Sequence, residues 1–345
     1  MKFSLIFFSG DERNKYRLVL ESARFADENG FHAIWTPERH FHRFGGLYPN
    51  PSVLSAALAM TTKSIGLRAG SVILPTHHPI RVAEEWSVVD NLSNGRVGVA
   101  LATGFSPVDF IFHPENWENR RKLTFDTVQT LRSFWEGESM SIRDGLGRHS
   151  EVELHPRPIQ AELPLWLTCT KSPDTFVNAG RLGTNVLSGL IDMSTEEFEE
   201  KLQRYFAEIE RHGHRREDRE VTMMLHTFMG DDEQSVRGMV YEPFLAYLRK
   251  FFTVINTQQK ALKPGQAIED IKQTDQQTLL EFGFDKFFGK GSLMGAQEKC
   301  LSVVKRMSGI GVTEIACLID FGMEDDLVMA SLRQLKQLKD LCADL

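Results

Sequence analysis

The chain has 345 residues, 41% hydrophobic and 25% charged, enough for one packed core with the dimensions of a barrel. A formal charge of −7 argues against nucleic acid and against an anionic membrane, since both ask for a basic face. No run reaches the ~18 apolar residues of a membrane span, and neither the four cysteines (Cys169, Cys300, Cys317, Cys342) nor the eleven histidines show disulfide or metal-site spacing.

Phe3 to Phe8 form an apolar run too short for a signal peptide, followed by Asp11-Glu12-Arg13 with no small-residue cleavage site. The run reads as a buried first strand, and with the cysteine spacing it points to a reducing, cytoplasmic setting. Further strands are predicted at 33–36, 65–74, 97–102, 164–168, 184–188, 221–228 and 314–319, eight in all. Amphipathic helices are predicted at 16–28, 79–91, 118–135 and 196–211. Ser194 and Glu197 form a capping box, Ser172-Pro173 reads as an N-cap with proline at the first helical position, and Gly30 and Gly183 fall just past helix ends.

Alternating strands and helices over 1–345 predict a single α/β domain, a (β/α)8 TIM barrel, with a doubly wound open sheet as the fallback. No Gly-x-Gly-x-x-Gly follows a strand, which weakens a dinucleotide-binding sheet. Two stretches break the rhythm. Residues 139–160 read as a surface hairpin around Asp144-Gly145. Residues 231–299 read as an insertion before the last strand, helix-like at 240–255 and polar at 256–277, placed to act as a mobile loop over the mouth.

In a barrel the strand ends face the active site. After the second strand, Glu38-Arg39-His40-Phe41-His42-Arg43 puts five ionisable groups among aromatics, with His40 and His42 suited to acid–base work. Gly70-Ser71 inside the third strand reads as close approach of a ligand or as a bulge, and His77 and His78, which follow that strand, either cap the next helix or line the mouth. Ala102-Thr103-Gly104 leaves room for a flat ligand. Thr168, Thr170, Lys171, Ser172 and Thr175 bring hydroxyls and a cation to a helix N-terminus, an anion site, with capping by Ser172 expected as well.

These residues resemble the bacterial luciferase-like monooxygenases, in particular the subgroup associated with polyketide and nonribosomal peptide biosynthesis. The resemblance runs over nearly the whole chain. Three ordered motifs carry it: Glu38-Arg39-His40-Phe41 with Phe44-Gly45; Leu74-Pro75-Thr76-His77-His78-Pro79-Ile80-Arg81-Val82-Ala83-Glu84; and Asp90-Asn91-Leu92-Ser93-Asn94-Gly95-Arg96. It implies a TIM-type barrel that receives reduced FMN from a separate flavin reductase. Oxygen (O2) would add to the flavin as a C4a-hydroperoxide and oxygenate a small-molecule or carrier-protein-bound substrate. It further implies a cis peptide at Gly70-Ser71, a flavin contact at Thr103-Gly104, a phosphate loop over 168–175, a mobile loop in the insertion, and a homodimer paired through helices flanking the early strands.

The pattern also departs from the luciferases. Where they carry two adjacent histidines, this chain has Arg39 and His40, and Ala102 stands where they carry a reactive cysteine. The resemblance therefore implies oxygenation without light, with His40 as acid–base group assisted by Arg39 or His42. The alternatives are a deazaflavin-dependent hydride-transfer oxidoreductase, from the same superfamily, and a non-catalytic flavin-binding partner subunit.

Overall fold

In the computed structural model, residues 1–9, 15–191, 193–262 and 273–345 are described, with backbone alone at 256–262 and 273–276. The elements run β1 (Lys2–Ile6), α1 (Arg17–Glu28), β2 (Ala33–Thr36), α2 (Pro51–Ala59), β3 (Gly66–Ile73), α3 (Pro79–Ser93), β4 (Val97–Ala102) and α4 (Arg120–Glu136). A hairpin of β5 (Met140–Arg143) and β6 (His149–Val152) follows, then β7 (Leu165–Thr168), α5 (Pro173–Arg181), β8 (Asn185–Gly189), α6 (Thr195–Arg211) and β9 (Val221–Met229). The chain continues through α7 (Glu233–Leu262), α8 (Gln273–Lys290), β10 (Leu293–Gly295), α9 (Gln297–Gly309), β11 (Glu314–Leu318) and α10 (Asp325–Leu341).

The eight expected strands are β1, β2, β3, β4, β7, β8, β9 and β11, each parallel to its neighbours. The ring closes because β9 pairs with both β8 and β11, and β11 pairs with β1. The apolar run at the N-terminus is a central strand of this barrel, buried from Phe3 to Phe7. Burial on both faces follows from helices outside and side chains within. The capping box at the start of α6 forms in full, Ser194 accepting from the Glu197 N–H and Glu197 from the Ser194 N–H.

The barrel is filled from its N-terminal end by a polar layer. Glu314, fully buried, accepts from Arg68 Nη1 at 2.7 Å, Thr222 Oγ1 at 2.7 Å, Trp35 Nε1 at 3.1 Å and Ser4. The Arg68 guanidinium lies over the rings of Trp166 and Trp35, which meet edge to face. His32, Glu220 and Glu314 bring possible ligand atoms within 4.8 Å of one another. Arg68 bridges the two carboxylates and Lys2 pairs with Glu220, so their charge is already balanced by side chains.

The region expected as an insertion is more regular than a loop. Helix α7 extends to Leu262, and α8 begins at Gln273, so much of the polar stretch 256–277 is helical; its centre, 263–272, lies outside the described residues. From Leu293 on, the expected insertion is barrel framework. Strand β10 pairs with the far end of β9, and α9 leads into β11. Helix α2 lacks an amphipathic stripe, because its apolar residues point nearly all round; its one sequence signal is Asn50-Pro51, an N-cap with proline at the first helical position, and the Asn50 side chain accepts from the Val53 N–H.

Candidate active site

Apart from Gly70 and Ser71, which lie inside β3, every site residue singled out along the strands lies at or beyond the C-terminal end of its strand, at one mouth. Glu38 is the hub of the β2–α2 loop. Its side chain has no solvent exposure. Its Oε1 accepts from His40 Nε2 at 2.7 Å and from His77 Nε2 at 2.6 Å, and its Oε2 from the Ile73 N–H at 2.7 Å. Burial alone would raise the Glu38 carboxyl. The bonds from His40, His77 and Ile73 outweigh it and hold the group below the ordinary carboxylate range. Burial lowers His77, but the bond to Glu38 and its charge win and raise it. The His40 ring packs between Phe41 and Phe112, at centroid distances of 5.5 and 5.3 Å. The Nδ1 of His40 has no partner among the described residues, and His42 donates from Nδ1 to the Phe44 carbonyl at 2.9 Å.

Arg39 lies deeper. Its guanidinium sits 3.9 Å over the Phe8 ring, its Nε is buried without a hydrogen bond, and no ion pair reaches it from the described residues. Asp109 and Asp320 act on it through space. Asp320 is held by the Phe8 and Ser9 N–H groups and the Tyr48 hydroxyl. Burial raises the Asp109 carboxyl despite the nearby His40, His42 and Arg39, and its Oδ1 has no partner. Helix α7 walls this side: Tyr247 packs on Phe44 and stacks near-parallel with Phe251, which meets Phe8. On β9, His226 is caged by Phe244, Tyr247, Phe287 and Phe321, and burial pushes it down to about 3.

A second cluster forms at the β7–α5 loop. Arg121, in the first turn of α4, donates from Nη2 to Ser172 Oγ at 3.0 Å and to Thr175 Oγ1 at 3.3 Å. A guanidinium, two hydroxyls and a helix N-terminus make a cradle for a phosphate dianion. The expected capping by Ser172 does not occur. Ser172 holds the N-cap position, but its hydroxyl is turned to Arg121 and makes no cap bond. Thr170 and Lys171 are exposed beside it, while Thr175 is buried.

Across the strand ends, Ser71 Oγ and Thr168 Oγ1 share a hydrogen bond of 2.6 Å. The Gly70–Ser71 peptide is cis, and the pairing of β3 with β4 shifts register between Ala69 and Val72. A Cβ at Gly70 would stand 3.2 Å from Trp35 Cβ, so interior packing asks for glycine there without a ligand. Gly104 has φ +75° and would place a Cβ 2.7 Å from Phe110; Ala102 and Thr103, just before it, are half-buried.

Sequence reasoning leaves Arg121, Asp109, Tyr247 and Asp320 unmarked, counts Glu38 only as one of five ionisable groups, and gives His77 two alternative places, capping the next helix or lining the mouth. It also drew weight from a motif that lies elsewhere. Asp90 accepts from the Ile159 and Gln160 N–H groups, and Arg96 donates to the Ser93 and Ile65 carbonyls at 2.6 Å, all beside the N-terminal end of β4. The 90–96 motif is a structural clasp at the opposite end from the site. The four thiols are buried, and burial raises each of them, which disfavours the thiolate.

A family model described as luciferase-like monooxygenase matches residues 1–314. The oxygenase component of the flavin-dependent trigonelline monooxygenase of Acinetobacter baylyi is 24% identical over 94% of this chain and 89% of its own. Among solved structures, monooxygenase RslO1 from Streptomyces bottropensis superposes with a TM-score of 0.76 at 22% identity, covering 98% of each chain. The oxygenating constituent of 3,6-diketocamphane monooxygenase from Pseudomonas putida, a type II Baeyer-Villiger enzyme solved with FMN, also gives 0.76, at 15% identity over 98% of this chain and 97% of that one.

Proposed function

Because the chain belongs to the luciferase-like monooxygenase family, we propose that it is the oxygenase of a two-component system, taking reduced FMN from a separate reductase and using O2 to oxygenate a small or carrier-protein-bound biosynthetic intermediate. The observation that carries this is one mouth bearing both a phosphate cradle and a histidine pair on a buried carboxylate. The residues present fit the cofactor. Arg121, Ser172 and Thr175 would hold its phosphate, flanked by Thr170 and Lys171. Gly70, Ser71, Ala102, Thr103, Gly104 and Thr168 offer the small strand-end surface a flat ring system needs. Reduced flavin, when bound, supplies the oxygen-activating chemistry.

The chain's own residues supply position, protons and dryness. Glu38 holds His40 through Nε2, which leaves Nδ1 as the atom that takes or gives a proton. Arg39 keeps a fixed charge beside it and cannot exchange a proton. His42, its Nδ1 tied to Phe44, keeps Nε2 as an acceptor. Phe8, Phe44, Tyr247 and Phe251 wall the site against water.

A homodimer is part of this reading. The adjacent helices α2 and α3 present Val53, Met60, Val88 and Leu92 to solvent, an apolar face suited to a second copy. The buried free thiols fit a reducing cytoplasm.

The test is to mix purified protein with reduced FMN, O2 and candidate substrates while following flavin absorbance and product. Turnover that His40→Ala abolishes is the expected result. Failure to bind reduced FMN overturns the reading, and unchanged turnover in His40→Ala removes His40 from it.

A further inference from the structure

We propose that the groove between the β2–α2 and β3–α3 loops binds an oxyanion carried by the substrate, a carboxylate or a phosphate, with Arg39 and Arg43 as its ligands. This deepens the oxygenase reading and rests on it only in calling the ligand a substrate. The groove, about 1010 Å³, begins at His40 and is lined by three arginines and five histidines. No carboxylate among the described residues lines it, although the chain as a whole carries −7. The exposed lining thus offers cations and donors and no acceptor carboxylate, which suits an anion.

Partner accounting identifies the free charges. Arg81 is taken by Glu84 and Glu85, His113 by Glu115, and His40 and His77 by Glu38. Arg39 and Arg43 have no ion pair among the described residues. For Arg43, which is exposed, that is ordinary. For Arg39 one atom is not: the guanidinium is pressed on Phe8, and its Nε alone is buried and unbonded, having given up water without gaining an acceptor. Asp320 is held by backbone N–H groups, and Asp109 makes no ion pair with Arg39 among the described residues. An oxyanion in the groove would meet the Nη groups of Arg39, which make no hydrogen bond among the described residues and are not buried, and the planar fork of arginine suits it.

The groove is distinct from the phosphate cradle, which uses other loops and the residues Arg121, Ser172 and Thr175. Its volume exceeds that of a bare ion and suits an anion with an organic body. Phe41 and Phe112, 58% and 52% exposed, pack on each other with centroids 5.6 Å apart and offer one joint apolar surface to that body.

The experiment is calorimetric titration of the full-length protein with phenylacetate, phenyl phosphate and the neutral phenylacetamide. Wild type is compared with Arg43→Ala, Arg39→Met, Arg39→Lys and Arg121→Ala, the last disabling the cradle. At least one anion is expected to bind wild type and Arg121→Ala alike, about tenfold or more tighter than the amide. Arg43→Ala and Arg39→Met should each weaken it by a similar factor, and Arg39→Lys by less. The stronger of the two anions identifies the source as carboxylate or phosphate. Equal binding of the amide overturns the proposal, as does unchanged binding in both Arg43→Ala and Arg39→Met. So does loss in Arg121→Ala alone, or no binding of either anion at about 10 mM. Arg43 is exposed, so its variant stays readable even if the Arg39 variants unfold. No flavin enters the titration, so a failure of the oxygenase reading appears separately, as absent flavin binding by the same protein.

Discussion

A methyl group at Gly45 would stand 2.7 Å from Cγ of Arg39 and 3.0 Å from the Phe8 carbonyl. Gly45 also has φ +80°, a conformation other residues adopt at a cost. The glycine thus does two things: it lets the β2–α2 loop turn, and it leaves the channel through which the Arg39 stem reaches Phe8. Gly45→Ala is expected to lose about 1–2 kcal/mol of stability from the backbone alone. It should also displace Arg39 and weaken anion binding in the groove. Denaturant melts and the phenylacetate titration check the two effects. A variant with wild-type stability and wild-type binding would show that Arg39 is placed by something else.

His77 sets a pH dependence with a definite sign. It is raised above 6.5 by its bond to Glu38 and the charges of Glu38 and Glu85, against the opposing effect of burial. Its contribution to stability is therefore whole below 6.5 and fades as the pH climbs through the raised value. Glu38, held below 4.5 in part by His40 and His77, loses its contribution as the pH falls through that lowered value. The stability lost in His77→Gln should be largest between about 4.5 and 6.5 and smaller in alkali. Urea melts of both proteins from about pH 4.5 into the alkaline range test it; a difference flat over that whole span would mean the two groups do not share a proton-linked bond.

The barrel was legible because continuous apolar runs such as Phe3 to Phe8 state burial on both faces, and eight of them in alternation with helices leave few topologies. The site was legible by position, since strand ends of a barrel face one mouth. What stayed hidden were contacts made by distance in sequence. Glu38 and His77 are 39 residues apart and meet only when β2 and β3 lie side by side. Arg121 did leave a trace. Arg120, Arg121 and Lys122 fill the first turn of α4, where the helix dipole favours acids, and such a misplaced charge signals an anion nearby. The trace was missed because the predicted helix began at 118, which blurred the first turn. Arg96 misled in the other direction: its motif is distinctive, yet its bonds all go to loop carbonyls and a hydroxyl remote from the mouth.

The polar layer at the closed end predicts a large stability loss. Arg68→Met keeps the apolar stem over Trp35 and Trp166 and removes the charge that pairs with Glu314. Glu314, fully buried, would keep its hydroxyl and indole donors but lose its cation. A cost of about 3–5 kcal/mol is expected, the range for a buried charge left unpaired. Adding Glu314→Gln to Arg68→Met should return part of it, because the stranded charge is then gone. Chemical denaturation of the two single variants and the double variant measures the coupling. Additive losses would mean that the pair is not what holds this layer.

The proposed phosphate cradle should separate FMN from riboflavin, which differ by the phosphate alone. Arg121 bridges Ser172 and Thr175, so removing it takes away both a charge and the element that orders two hydroxyls. Charge-assisted hydrogen bonds contribute roughly 1.5–3 kcal/mol. Arg121→Ala is therefore expected to weaken FMN binding about 10- to 100-fold and to leave riboflavin nearly unchanged. Ser172 makes no cap bond in α5, so Ser172→Ala should cost little helix stability while still weakening FMN several-fold. Flavin fluorescence titrations with both ligands read the difference directly. If Arg121→Ala weakens riboflavin as much as FMN, the arginine supports the mouth as a whole rather than a phosphate, and the cradle would have to be sought among other residues.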